Sequence, residues 1–418
     1  MKNSLQYNKI NCSILILLFF ISFTIRLVAV LALPQEGSDS GDYIKLARNI
    51  RAHRSFSYDG TIPDDSRAPL YPAFIASVFF VCGESLPPIR IIQAGLDALT
   101  CLLVFICALI LWENVLIAYL GCGIAMIHPS LIGSTTFILS ETIATHVITF
   151  SLLFLMLAMK RSEKKYYMFS GILLGIGTLG KPICLLFPLF LFMCCCMYKK
   201  WRWVLPFFII FIGSFCITIL PWTARNFFQF NKFIPVSSNI GGNLWIGSYE
   251  PWGGTYSSEM NALHNRLAVK FDPTIKGHYR IDDYLKKEAL KRIKSDPTTY
   301  IRLCLGKTVR FWLRIPGEEE ILRDRFILKW LIYLSHYTLL CLFVYGLIAL
   351  CKNGCLAVYH IIPLTIIVYF TLLHAAFSAL PRFRIPIIPM VILLSSYGLV
   401  HFYRRLRTDK TRRTASAS

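Results

Sequence analysis

Long apolar runs constrain this chain more than any other feature. The first, residues 12–33, carries a single charge, Arg26. A bilayer core takes about 20 apolar residues as one helix, because hydrocarbon offers the backbone no hydrogen-bond partner. Further runs of this kind cover 89–111, 115–131, 142–159, 168–179, 183–197, 204–219, 326–350, 356–375 and 385–402. The expected fold class is therefore an all-α polytopic membrane protein with about ten crossings. The 418 residues are 55% apolar and only 16% charged, where a soluble domain has about 25% charged residues. That balance excludes a cytosolic enzyme, a secreted disulfide scaffold and a disordered tail. The first run reads as an uncleaved signal anchor rather than a signal peptide, since it is long and lacks a small-x-small cleavage site.

Charge sets the orientation. Lys and Arg number 44 against 23 Asp and Glu, a formal charge of +21. In a soluble chain such an excess suggests nucleic acid. Here the cations cluster between apolar runs, at Lys160-Arg161, Lys164-Lys165, Lys199-Lys200 with Arg202, and from Arg404 onward. That pattern marks cytoplasmic loops, and no nucleic-acid partner is expected. Ten crossings place all of these clusters inside, provided the short run 70–81 lies in the outer face rather than crossing. The expected organisation is an N-terminal membrane module, 1–221, with an outer loop at 34–68. An outer region, 222–325, with interfacial helices (one amphipathic over 284–293) follows. The C-terminal membrane helices, 326–403, and a disordered basic tail, 404–418, complete the chain. The fourteen cysteines lie mostly inside apolar runs and read as small hydrophobes rather than a disulfide framework.

Charges at membrane depth are costly, so each is a candidate functional group. Arg26 and Asp97 sit deepest and read as a structural ion pair or hydrogen-bonded core groups. Glu141, Lys181, Arg382 and Arg384 fall near the outer face, together with Asp39, Asp42 and Arg67 of the first outer loop. Snorkelling at helix ends explains any one of them; it does not favour acids and bases gathering on one side. Asp39 has two readings, a general base for an acceptor hydroxyl and an N-cap for a helix over 42–50. Arginine's planar fork suits a lipid phosphate or diphosphate, although ordinary anionic lipid would bind similarly. No nucleotide-binding loop and no H-E-x-x-H motif occurs, and the nine His are scattered. Neither metal nor cofactor is expected. Gly171, Gly175 and Gly177 read as a close-packing face.

In chain order the marked pieces are Asp39-Ser40-Gly41-Asp42-Tyr43 with Ala47; Arg67-Ala68-Pro69-Leu70-Tyr71-Pro72; Gln93; Ser140-Glu141; Gly171, Gly175 and Leu179-Gly180-Lys181-Pro182; Pro221 through Asn226; Asn239 through Gly247; and Arg382-Phe383-Arg384-Ile385-Pro386 with Pro389. This order and spacing resembles the GT-C superfamily of polyprenyl-phosphate-sugar-dependent glycosyltransferases. It is closest to glycosyltransferase family 39, the group of protein O-mannosyltransferases and aminoarabinose–lipid A transferases. The large soluble C-terminal domain of some members is not expected here.

The resemblance implies an inverting hexosyl or pentosyl transfer at the outer side of the inner membrane. The donor would be a polyprenyl-phosphate sugar, and the acceptor an envelope glycan, lipid or protein. It implies Asp39 as base, with Asp42 the runner-up, and Arg67, Lys181, Arg382 and Arg384 on the phosphate leaving group. Glu141 would line the same cavity. Tyr43, Tyr71 and Trp245 would face the sugar or prenyl chain, with core packing as the plainer role for each. The rival class is a transporter or flippase of lipid-linked sugars. It would call for inverted repeats and for charges spread through the depth of the spans.

Overall fold

The computed structural model describes residues 11–33, 37–198, 201–257, 259–260, 262–263, 266, 277–315, 326–353 and 357–415. Among them the chain is helical, with one isolated bridge, Ser57 to Pro63, as its only extended pairing. Seven helices are long and apolar enough to cross a membrane: Cys12–Ala32, Pro87–Trp112, Glu141–Arg161, Leu205–Phe230, Lys329–Lys352, Val358–Ala376 and Pro381–Thr408. An eighth crossing results if Val115–Ile127 and Pro129–Thr136 count as one span bent by 44°.

The ten expected crossings are thus not reached by length and composition. The shortfall lies in two helices, Lys164–Gly180 and Phe187–Tyr198. The second is extended at its start by the 3-10 turn Pro182–Leu186. Lys164–Gly180 packs along both Glu141–Arg161 and Trp201–Phe230. At this seam a Cβ on Gly171 would lie 2.2 Å from the Phe211 carbonyl oxygen, and one on Gly175 2.6 Å from Thr218 Cβ. The small-residue face therefore lets two backbones touch, as its spacing predicts.

Several boundaries differ from the sequence reading. The helix at 204–219 does not stop at Pro221 but continues to Phe230. Its side chains past the proline hold the next loop: Trp222 Nε1 donates to the Val236 carbonyl at 2.7 Å, and Asn226 Nδ2 to that of Ile234 at 2.9 Å. The basic tail, expected to be disordered, continues the last helix to Ala415. Run 70–81 forms Leu70–Cys82, a 13-residue helix too short to span. The amphipathic stretch over 284–293 is the middle of Tyr279–Ser295. Lys199-Lys200 lie outside the described residues.

The main core lies where Pro87–Trp112, Glu141–Arg161, Ile361–Ala376 and the last helix meet, around Val104, Ile148, Leu152, Ile366 and Val391. The first helix instead exposes Leu17, Phe20 and Leu31, the surface hydrocarbon would cover. Deep inside, Arg26 and Asp97 are both fully buried and pair with each other. Arg26 also donates to the carbonyls of Met126, at 3.0 Å, and Ala125, at 3.1 Å. This is the structural pair that the sequence suggested.

Candidate active site

Asp39 stands at the N-cap position of helix Ser40–His53, yet its side chain makes no capping bond. Ser40 does the local anchoring instead: its hydroxyl accepts from the Gly37 N–H at 2.7 Å and donates to the Ile138 carbonyl at 2.9 Å. The capping reading of Asp39 is thereby corrected, and its carboxylate is left to face arginines. Asp39 Oδ1 accepts from Arg67 Nη2 at 2.9 Å, and Oδ2 from Arg382 Nη2 at 2.5 Å. Asp42 lies one helical turn on, so it shares a face with Asp39, and its Oδ2 takes the same Arg67 Nη2 at 2.6 Å.

A second pair adjoins the first. Glu141 is the first residue of its helix and Lys181 directly follows the last residue of helix Lys164–Gly180. The two helices lie side by side, so these ends meet, with Lys181 Nζ 2.8 Å from Glu141 Oε1. Each charge suits its helix end, an anion at the positive N-terminus and a cation at the negative C-terminus. Glu141 is within electrostatic reach of Arg382 as well. Phe383 joins the halves, with Lys181 Nζ at 5.5 Å and the Arg382 guanidinium at 5.6 Å from its ring centre.

Loop contacts aim Arg67. Buried Asp65 accepts the backbone N–H groups of His278, at 2.6 Å, and Tyr279, at 3.2 Å, and so caps helix Tyr279–Ser295. Arg225 Nη1 donates to the Asp64 carbonyl at 2.8 Å, and its guanidinium lies 4.8 Å from the Trp222 ring centre. The loop before Arg67 is therefore fastened to two elements of the outer region.

Burial would push the Asp39 carboxyl up, but Arg382 first and Arg67 second outweigh it and hold the group below the usual carboxylate range. Burial pushes the Tyr43 phenol up, which keeps it neutral. Tyr43 lies 5.6 Å under the Arg67 guanidinium. It meets Tyr71 edge to face at 4.9 Å. Tyr71 is buried behind it and donates to Gln93 Oε1 at 2.6 Å.

The structure thus brings together Asp39, Asp42, Glu141, Arg67, Lys181 and Arg382, with Tyr43 against them and Tyr71 one layer behind. It does not bring Arg384. That guanidinium is buried and donates to the carbonyls of Phe311, Trp312 and Arg314 at the end of helix Pro297–Leu313. Residues two apart in the turn Pro381–Ile387 point in different directions, so Arg382 and Arg384 part company. Trp245 is also elsewhere, packed edge to face against Trp252 at 5.2 Å in the outer region's own small core.

Three residues adjoining the cluster escaped the sequence reading of candidate groups. Asn243 Oδ1 accepts from Tyr256 OH at 2.9 Å and from Ser378 Oγ at 2.6 Å, and Tyr256 lies within electrostatic reach of Asp39, Arg382 and Arg67. Asn243 sits in the Asn239–Gly247 motif, which carried a weak signal; Tyr256 and Ser378 carried none. Among the described residues no group of three or more His, Cys, Asp or Glu is arranged to hold a metal ion.

A family model described as dolichyl-phosphate-mannose-protein mannosyltransferase matches residues 66–222. That stretch takes in Arg67, Glu141 and Lys181 and leaves out Asp39 and Arg382. No curated protein matches the sequence. Solved structures match nearly all of it. The archaeal oligosaccharyltransferase AglB from Archaeoglobus fulgidus, in complex with an inhibitory peptide and a dolichol-phosphate, aligns with TM-score 0.59 and 13% identity over 97% of this chain and 51% of that one. The apo form of the A. fulgidus oligosaccharyltransferase aligns with TM-score 0.57 and 13% identity over 97% and 52%. This chain spans about half the length of those structures. ArnT from Cupriavidus metallidurans bound to undecaprenyl phosphate aligns at TM-score 0.42 and 13% identity over 94% and 78%, too loosely to carry an argument. These matches show the fold, that of a multi-pass helical membrane protein.

Proposed function

We propose that this protein is a membrane glycosyltransferase that moves a sugar from a polyprenyl-phosphate donor to a cell-envelope glycan, lipid or protein. The observation that carries this reading is the contact of Asp39 with both Arg67 and Arg382, with the Lys181–Glu141 pair alongside. Three cations around a phosphoryl group would stabilise the charge that develops as it leaves. A carboxylate held ionised among them would take the acceptor's proton. In the transfer, the acceptor oxygen forms a bond to the anomeric carbon from the face opposite the phosphate. The bond from that carbon to the phosphate oxygen breaks, and its electron pair departs with the polyprenyl phosphate. The acceptor's proton passes to a carboxylate oxygen of Asp39, with Asp42 the nearest alternative. What AglB is seen to bind, a dolichol-phosphate, belongs to the same chemical class.

Orientation follows from one helix. Glu141–Arg161 carries Glu141 at its first residue and Lys160-Arg161 at its last. At 1.5 Å per residue it spans about 30 Å, the depth of a hydrocarbon core. The basic end belongs in the cytoplasm, so the Glu141 end faces the outside of the inner membrane. This one-sided placement supports transfer over a flippase, whose charges would line the depth of the bundle.

Mass spectrometry of envelope glycans and lipid-linked sugars, in cells with and without the gene, tests the reading. The expected result is a missing sugar together with accumulated lipid-linked donor, restored by the wild-type gene. An unchanged envelope and donor pool would overturn it.

A further inference from the structure

The charged cluster is electrically balanced: Arg67, Lys181 and Arg382 face Asp39, Asp42 and Glu141, three against three. Both oxygens of Asp39 are occupied by guanidinium groups. Asp39 and Arg382 neutralise each other while they pair, which weakens the one as a base and the other as a phosphate site.

Two atoms of the cluster are nevertheless buried without a hydrogen-bond partner, Arg382 Nε and Glu141 Oε2. One is a charged donor and the other a charged acceptor. Leaving either unpaired in a dry site is unfavourable, so their coexistence needs a reason. Their side chains do not form an ion pair, yet Glu141 attracts Arg382 across the gap, beside the direct contact that Arg382 makes with Asp39. Glu141 is well fixed: its side chain is 4% exposed and Lys181 holds its other oxygen. Arg382 is less so. It is 20% exposed, and its guanidinium lies near the face of Phe383. An aromatic face favours a cation without fixing its rotation.

We propose that Arg382 has two stations, on Asp39 when the site is empty and swung toward Glu141 Oε2 when a lipid phosphate is bound. This inference rests on the donor reading above. In the second station the phosphate and Glu141 share the guanidinium, and Asp39 Oδ2 is released to receive the acceptor's proton. The base is thereby unmasked only after the donor has entered. Glu141 is then a positioning residue, acting on the reaction through Arg382.

Undecaprenyl phosphate added to the purified full-length protein in detergent tests the inference, followed by binding and by carboxylate infrared difference spectra. Wild type is expected to bind and to give a carboxylate difference band that Asp39→Asn removes, the signature of Asp39 losing a guanidinium. Glu141→Gln keeps an oxygen for Lys181 but no charge for Arg382. It should lose that band and weaken binding about tenfold, the scale of one charge-assisted contact. Glu141→Asp should restore part of both. If wild type binds with no Asp39 band, or Glu141→Gln binds with an unchanged band, the two-station inference is overturned and the donor reading stands. If wild type does not bind undecaprenyl phosphate, the donor reading is overturned and the inference with it. A wild-type spectrum with no carboxylate band on binding overturns the inference even if a variant misfolds.

Discussion

Arg382 donates to Asp39 across 343 positions of sequence, at 2.5 Å. The contact joins the turn before the last membrane helix to the loop after the first. Each group offsets part of the other's cost of burial, so the two ends of the chain must close around this point for the site to exist.

Replacing Asp39 by Asn should leave the fold intact and lower transfer by about 10²–10⁴-fold, the usual contribution of a general base. Transfer measured in membranes carrying the variant, beside a binding measurement for the lipid donor, checks this. Comparable transfer by the variant removes Asp39 as base and moves the assignment to Asp42.

The two arginines of Pro381–Ile387 should separate by phenotype. Arg382→Ala should weaken binding of undecaprenyl phosphate by about tenfold or more. Arg384→Ala should leave binding unchanged and cost about 1–3 kcal/mol of stability, because the carbonyls at the end of helix Pro297–Leu313 lose their donor. Titration and thermal unfolding of both variants in detergent give the comparison. The reverse assignment would contradict the geometry.

Acid should act through Asp39. Its folded-state pKa lies below the value of about 3.9 for an unfolded Asp. The stability it contributes is therefore fully present above about pH 4 and is lost as pH falls through the folded value. Arg382 is the largest opponent of burial at this group. Arg382→Ala should thus raise the Asp39 pKa toward its unfolded value and make the acid loss of stability smaller. Melting temperatures between about pH 2 and pH 6 would show the smaller loss; identical acid profiles for the two proteins would refute it.

The buried pair tests the frame rather than the site. Asp97→Ala leaves the Arg26 charge fully buried without its carboxylate and should cost about 3–5 kcal/mol. The double variant Arg26→Met with Asp97→Leu should lose much less, since no charge is left stranded. Both are read by unfolding in detergent, and transfer per folded molecule should match wild type.

Much of this was legible in the linear sequence. The apolar runs 12–33, 89–111 and 142–159 became membrane-length helices. The glycine spacing at Gly171 and Gly175 announced a close helix seam, and the pairing of Arg26 with Asp97 followed from the cost of lone charge at depth. The boundaries were less legible. Pro221 looked like a stop, but a helix can pass through a proline when the freed carbonyl finds another partner. Asp39 had two readings, a cap and a base, of which the cap was the plainer. Only the nearness of Ser40 to Ile138 decided that the serine anchors the turn.

What the sequence by itself determined was the medium and the menu. Hydrocarbon gives backbone groups no partner, so apolar runs of this length must be helices, and the few charges among them must find one another or the surface. What tertiary structure alone decided was which charges meet. Asp39 meets Arg382, and Arg384 does not join them. Tyr256 and Ser378 come to the same place with no local pattern to foretell it. Such meetings depend on how helix ends stack and loops cross over hundreds of residues, and side-chain direction in one short turn is enough to send neighbouring arginines to different partners.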